Sequence, residues 1–369
     1  MSGITADASA YGKCESELQS AGIGVRAGQC GADHHTLGRP STAGSCRVRM
    51  RFCLSGLMGA LLVLSAGVSA DEIESRADAW WTGPMLAPNA TMLPHGHVLL
   101  EPYVFDVIST GSLDAGGAHH AAPADQQLGS LTYMLYGLTD TVTLGMIPRF
   151  FYNEPAGAPN SSGVQVGDLT LQAGYGLTQY QDGSHVPALA FVIDETLPTG
   201  RYDRLGRSSD GVGAGAYATG FSLYSQDYFW MPNGRILRAR LDLTYTLSSA
   251  VPLEDASVYG TAYGFRGHAY PGDGYTVDAA AEYSLTRSWV LAMDVIYQYS
   301  ANTRVRGNLP SGGSAFESDS GSGYSLGFAP AIEYNWSARA GVLLGVRIIS
   351  IGRNTSTTVT PALAVNLVY

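Results

Sequence analysis

The stretch Trp289-Val290-Leu291-Ala292-Met293-Asp294-Val295-Ile296-Tyr297-Gln298-Tyr299-Ser300 decides the fold class. Its odd positions are large and apolar or aromatic, whereas Ala292, Asp294, Gln298 and Ser300 fall on even ones. Successive side chains of a strand point to opposite sides, so this period of two gives one greasy and one polar face. The rhythm returns in Tyr324-Leu326-Phe328-Pro330-Ile332-Tyr334 against Ser325, Gly327, Glu333 and Asn335. It returns again in Leu237-Ala239-Leu241-Leu243-Tyr245 against Arg238-Arg240-Asp242-Thr244, and in Tyr275-Val277-Ala279-Ala281-Tyr283 against Asp278 and Glu282. Leu169-Leu171-Ala173-Tyr175 against Asp168-Thr170-Gln172-Gly174 completes the set.

Alternation of this kind fits a soluble sandwich as well as a membrane barrel. Two features favour the barrel. Aromatic residues bracket the apolar faces, with Tyr283, Trp289, Tyr334 and Trp336 near one end and Tyr275, Tyr297, Tyr299 and Tyr324 near the other. Amphipathic rings in two belts suit the two membrane interfaces. The connections also alternate between short and long, as in outer-membrane barrels, where an even strand count leaves both termini in the periplasm. The chain is therefore expected to be all-β, an antiparallel transmembrane barrel of about 12 strands, with ten or fourteen also open. The expected strands are 97–107, 127–137, 141–151, 165–177, 186–197, 212–224, 235–247, 275–285, 289–300, 323–335, 341–351 and 357–369. Those at 97, 127 and 212 are poorly phased. Long loops are expected at 108–126, 152–164, 198–211, 248–274 and 301–322, with an extended turn near Ser225–Gly234.

Working outward to the termini, Arg49-Met50-Arg51 precedes an apolar run from Phe52 to Gly67 and then Val68-Ser69-Ala70. A basic start, an apolar core and small residues before a polar start define a secretory signal over 50–70, cleaved near Ala70. Residues 1–49 read as a disordered leader that is not translated if Met50 is the true start, 71–95 as a periplasmic segment, and 96–369 as the barrel. At the other end the chain closes on Val365-Asn366-Leu367-Val368-Tyr369. A last strand with an aromatic terminus resembles the strand that outer-membrane proteins present to the barrel assembly machinery, although most end in Phe.

Composition removes whole classes. Beyond Ala70 there is no Cys and no Lys, which excludes a disulfide framework, a thiolate metal site and a cysteine nucleophile. The same portion carries 15 basic and 27 acidic residues, the wrong sign for nucleic acid. No run of 18 apolar residues follows the signal, so no helix is expected to span a bilayer. Gly323-Tyr324-Ser325-Leu326-Gly327 matches a nucleophile elbow in letters, but that motif needs a strand-to-helix turn and Ser325 falls inside a strand. Gly213-Ala214-Gly215 lacks the following helix of a dinucleotide site. His95, His97, His119, His120, His185 and His268 show no convergent ligand set, so neither metal nor cofactor is expected.

The charged residues on the polar faces carry the functional reading: Arg149, Asp168, Asp194, Arg238, Arg240, Asp242, Asp278, Glu282, Asp294, Glu333 and Arg347. A lipid-facing Arg costs about 2–4 kcal/mol at the midplane, which explains their shared phase. They either line a pore for a small-molecule solute or form an ion-pair network that fills the lumen.

Two segments carry a resemblance. Gly167-Asp168-Leu169-Thr170-Leu171-Gln172-Ala173-Gly174-Tyr175 and Phe191-Val192-Ile193 running into Leu197-Pro198-Thr199-Gly200 resemble the outer-membrane family associated with the meta-pathway of phenol degradation. The resemblance implies a channel for aromatic or other hydrophobic compounds, without enzymatic activity. A closed structural or adhesive barrel and, further off, a barrel hydrolase are the alternatives. The partners expected are outer-membrane lipid, the assembly machinery and the solute.

Overall fold

A computed structural model describes residues 74–183, 186–309 and 315–369; the leader, the export signal and His185 lie outside the described residues. The strands are β1 (Val98–Leu113), β2 (His119–Thr139), β3 (Val142–Ile147), β4 (Arg149–Glu154), β5 (Gln165–Val166), β6 (Leu169–Thr178), β7 (Ala188–Leu197), β8 (Ala218–Trp230) and β9 (Ile236–Ser248). They continue with β10 (Val251–Glu254), β11 (Arg266–Tyr270), β12 (Gly274–Ser284), β13 (Trp289–Ser300), β14 (Arg304–Asn308), β15 (Ala315–Asp319), β16 (Gly323–Ser337), β17 (Ala340–Arg353) and β18 (Thr355–Val368).

β3 and β4 are one strand broken at Pro148, which has no N–H to give; both halves pair with β2 in one register, Met134 opposite Met146 and Leu131 opposite Arg149. Counted so, twelve strands form an antiparallel ring in the order β1-β18-β17-β16-β13-β12-β9-β8-β7-β6-β3-β2, and β1 closes it by pairing with β2. Closure satisfies every strand edge, the condition for crossing lipid with β structure. The polarity is inverted relative to a soluble protein. Leu241, Leu243, Leu291, Leu344 and Leu363 are exposed on the outside, whereas Arg240, Asp294 and Glu333 are buried within.

All twelve expected strands are present. Three expectations at their ends need correction. The loop at 108–126 is mostly strand, because β1 and β2 extend as a hairpin to a tip at Asp114–Ala118. The strand placed at 212–224 sits six residues later, and the extended turn contracts to a tight one in which the Met231 amide donates to the Arg235 carbonyl. Residues 225–228 read as a turn because Ser225, Gln226 and Asp227 are polar on both faces.

The third correction concerns the loops at 248–274 and 301–322. They form a second sheet, β10-β11-β14-β15, whose order repeats that of β9-β12-β13-β16 below it. Four wall strands thus resume beyond short bends such as Pro271-Gly272-Asp273 and Ala301-Asn302-Thr303. One face packs Val251, Leu253, Ala269 and Val305 against Tyr259 and Phe265.

Candidate functional site

The lumen has two unlike walls. Along β9, β12, β13 and β16 the inward positions are Arg238, Arg240, Asp242, Asp278, Glu282, Asp294 and Glu333, all buried. Register brings them together: Arg238 lies opposite Glu282, Asp242 opposite Asp278. The Arg238 guanidinium grips Glu282 with two hydrogen bonds, its Nε donating over 2.6 Å, and Arg240 Nε stands 3.3 Å from the same carboxylate. Fork-to-fork pairing of this kind is what a buried arginine needs to offset its lost hydration. Asp242 accepts from the Ser225 amide, while among the described residues neither oxygen of Asp278 has a hydrogen-bond donor.

Of the facing wall, β1 to β4, only Arg149 was foreseen as part of the site. Its inward residues Leu99, Tyr103, Phe105, Val107, Leu131, Tyr133, Leu135, Ile147 and Phe151 form one buried apolar cluster. Tyr103 meets Tyr133 edge-on at 6.0 Å and Phe105 meets Phe151 at 6.4 Å, the geometry that ring quadrupoles favour. The outward residues of β1 include Val98, Leu100 and Val104, and the inward ones are mostly apolar apart from Glu101 and Ser109, so the period of two is faint in the sequence.

Between the walls lies the segment ahead of β1. Residues 71–95 read from sequence as a periplasmic segment; the described residues 74–97 run inside the barrel as a finger. The Asp294 carboxylate accepts from the Met85, Leu86 and Ala87 amides at 3.0–3.3 Å, and Glu333 from those of Thr82 and Gly83 at 2.7 and 3.1 Å. Arg240 donates to the Ala87 carbonyl at 2.6 Å, and Arg238 lies 4.6 Å from the Trp81 ring centre. Met85 and Leu86 join the apolar cluster of the opposite wall. The physical reason is that a buried carboxylate is stabilised by hydrogen-bond donors, and a backbone laid along Asp294 and Glu333 supplies them.

The remaining predicted residues separate into other roles. Arg149 donates to the Asp168 carbonyl and to Thr170 Oγ1, and Arg347 to Gln298 Oε1. Asp194 faces inward beside Gly220. Asp168 is an anchor for the loop over the lumen mouth: its oxygens accept from the Gly200 amide at 2.8 Å and the Ala214 amide at 2.7 Å. Thr199 adds two bonds, accepting from the Leu169 amide and donating to the Gly167 carbonyl. The Gly-Asp and Leu-Pro-Thr-Gly segments therefore lock each other. Gly200 is obligatory there, since a Cβ would stand 2.8 Å from the Gly213 Cα.

Ser325 lies near the start of β16 but within the strand, on the buried face, without the sharp strand-to-helix turn of a nucleophile elbow. Among the described residues the histidines form no ligand cluster: His95 Nδ1 is 2.8 Å from the Leu138 carbonyl, and His120 Nε2 is 2.8 Å from Asp114 at the β1–β2 tip. That last bond, with the Ala118 and Gly116 amides, holds the exposed Asp114 carboxyl below its ordinary range.

A closed antiparallel ring with a lipid-facing exterior and an occupied, two-sided lumen defines an outer-membrane β-barrel. The chain belongs to the family described as "Putative MetA-pathway of phenol degradation", whose model matches residues 110–363, more than half of its length. Among solved structures it is similar to the COG4313 outer membrane channel from Pseudomonas putida F1, with a TM-score of 0.59 and 15% identity over 76% of this chain and 98% of that one. The NanC porin gives 0.39 and 9% over 72% and 98%, and a TodX monoaromatic hydrocarbon channel mutant 0.38 and 11% over 81% and 98%. The first likeness bears on the fold. No protein of curated function matches the sequence.

Proposed function

We propose that the protein is an outer-membrane channel through which small hydrophobic molecules, aromatic compounds among them, pass without chemical change. The observation that carries this reading is the apolar wall of Tyr103, Phe105, Tyr133 and Phe151 inside the lumen. A water-filled pore for polar solutes has no use for such a surface. Once the finger's Met85 and Leu86 give way from this buried wall, an aromatic solute moving along it exchanges hydration for ring contacts. The charged wall holds the finger. Export by the 50–70 signal, cleavage near Ala70 and recognition of the terminal strand ending at Tyr369 by the assembly machinery belong to the same proposal.

The test is uptake of a radiolabelled monoaromatic compound by cells or proteoliposomes carrying the mature chain. Uptake above that of empty controls, and above that of a sugar of similar size, is expected. Equal rates with and without the protein would overturn the reading. A second reading, a closed barrel that acts through its extracellular sheet, draws on the occupied lumen; it predicts a protein that inserts and neither conducts nor passes any solute.

A further inference from the structure

Within the polar wall two carboxylates face each other. Asp242 on β9 and Asp278 on β12 are register partners, both inward and almost fully buried. Residues directly opposed across an antiparallel pair hold their Cβ atoms about 4.5–5.5 Å apart, and like charges so placed destabilise the ladder. Among the described residues Asp278 has no hydrogen-bond donor on either oxygen, and Asp242 has none on Oδ2. Tyr224 on β8 is the next residue of the same row, opposite Asp242, and its buried hydroxyl lacks a partner of hydrogen-bond geometry. Along β12 and β13 the finger's bonds end at Asp294, one inward pair short of Asp278.

The wall does not neutralise this pair. Of its seven buried charged residues five are carboxylates, and Arg347 of β17 brings the guanidiniums only to three. The charges acting on Asp278 are those of Asp294, Asp242, Arg347 and Arg240. Arg240 is held by Glu282 and the Ala87 carbonyl, and Arg347 by Gln298 Oε1 at 2.7 Å. What is left over is negative charge with unused acceptors, in a setting where both are costly unless a cation arrives. Tyr133 of the aromatic wall comes within electrostatic reach of Tyr224, so the two walls approach each other at this row.

We propose that Asp278, Asp242 and Tyr224 bind a primary ammonium group carried on an aromatic body, such as that of phenethylamine. An ammonium brings three N–H donors, and the row offers three acceptors, two of them charged. Charge-assisted bonds are the strong ones, and an aromatic face beside the cation adds to them. A bare divalent ion is served badly, because it asks for about six or more oxygens. Among the described residues no group of three acidic or histidine side chains is placed to hold a metal. The body of the solute lies against the Tyr103 and Tyr133 rings once Met85 and Leu86 give way. This names a solute class for the proposed channel and rests on that reading for passage, not for binding.

Calorimetric titration of the mature barrel in detergent, near neutral pH, compares phenethylamine with 2-phenylethanol, which keeps the ring and replaces the ammonium by a hydroxyl. Calcium chloride is the third titrant. The amine is expected to bind about tenfold more tightly than the alcohol. Asp278→Asn and Asp242→Asn should each remove about that tenfold and leave the alcohol unchanged, and Tyr224→Phe should cost about threefold. Asp114→Asn, at the exposed hairpin tip, should change nothing. Heat-modifiable migration on gels identifies folded variants, and should one aspartate variant misfold the other is read in its place. Equal affinity for amine and alcohol, indifference to both asparagine substitutions, or tighter binding of calcium than of the amine would each overturn the site. Toluene uptake into proteoliposomes is scored separately. Its absence together with amine binding overturns the channel alone, and its presence without amine preference overturns the site alone.

Discussion

The two walls of the lumen are made of the same element, a strand with one face to lipid, yet they do opposite things with the other face. The β9-β12-β13-β16 wall places seven charged residues inside, whereas the β1–β4 wall, with Glu101 and Arg149 as its buried charges, places mainly tyrosine, phenylalanine and leucine there. Alternation in a sequence reports only the contrast between two faces. Where the lumen is polar the contrast is sharp; where it is apolar the strand reads as an unbroken hydrophobic run, as strands buried on both faces do. A lumen wall that is apolar therefore hides from the pattern that reveals the fold.

Substitutions on the two walls separate their roles. Glu282→Ala leaves Arg238 and Arg240 sharing no carboxylate between them, and stability should fall by about 3–5 kcal/mol, read by thermal unfolding of the detergent-solubilised barrel. Converting Arg238 and Glu282 together to Met should recover part of that loss. On the other wall Phe105→Ala removes one ring of the Phe105–Phe151 pair and should cost about 3 kcal/mol. Its distinctive signature is lower aromatic uptake with unchanged passage of ions. Asp294→Asn keeps the shape but weakens three amide contacts, and about 1–3 kcal/mol is expected. The measurement there is single-channel conductance, which should rise as the finger loosens. A drop in all three readouts for every variant would mean that the walls are not functionally distinct.

How much was legible follows from the same contrast. β12 and β13 begin and end within a residue of their expected limits, because Asp278, Glu282 and Asp294 interrupt apolar residues at every second place. All seven charged residues of the polar wall were identifiable for that reason. Asp168 was recognised as inward-pointing, yet its work on Gly200 and Ala214 depends on a loop that returns to it from more than thirty residues away. The finger was illegible: Trp81, Met85 and Leu86 show no period, and only the carboxylates waiting opposite explain their place. The second sheet was missed because Gly and Pro at its bends read as the ends of strands instead of pauses in them.

One feature of the finger constrains how the molecule can be assembled. Glu74 is tied to the β8–β9 turn through Gly234 and Arg235, and the finger's other end is tied at Gly96 to Gly137, beside the β2–β3 turn. Both ends thus leave by the same rim, so the segment is doubled back and never threads the cylinder from one mouth to the other. The ring can zip shut around an empty bore, with the hairpin inserted afterwards. By the same topology it can withdraw without a single wall strand parting from its neighbour.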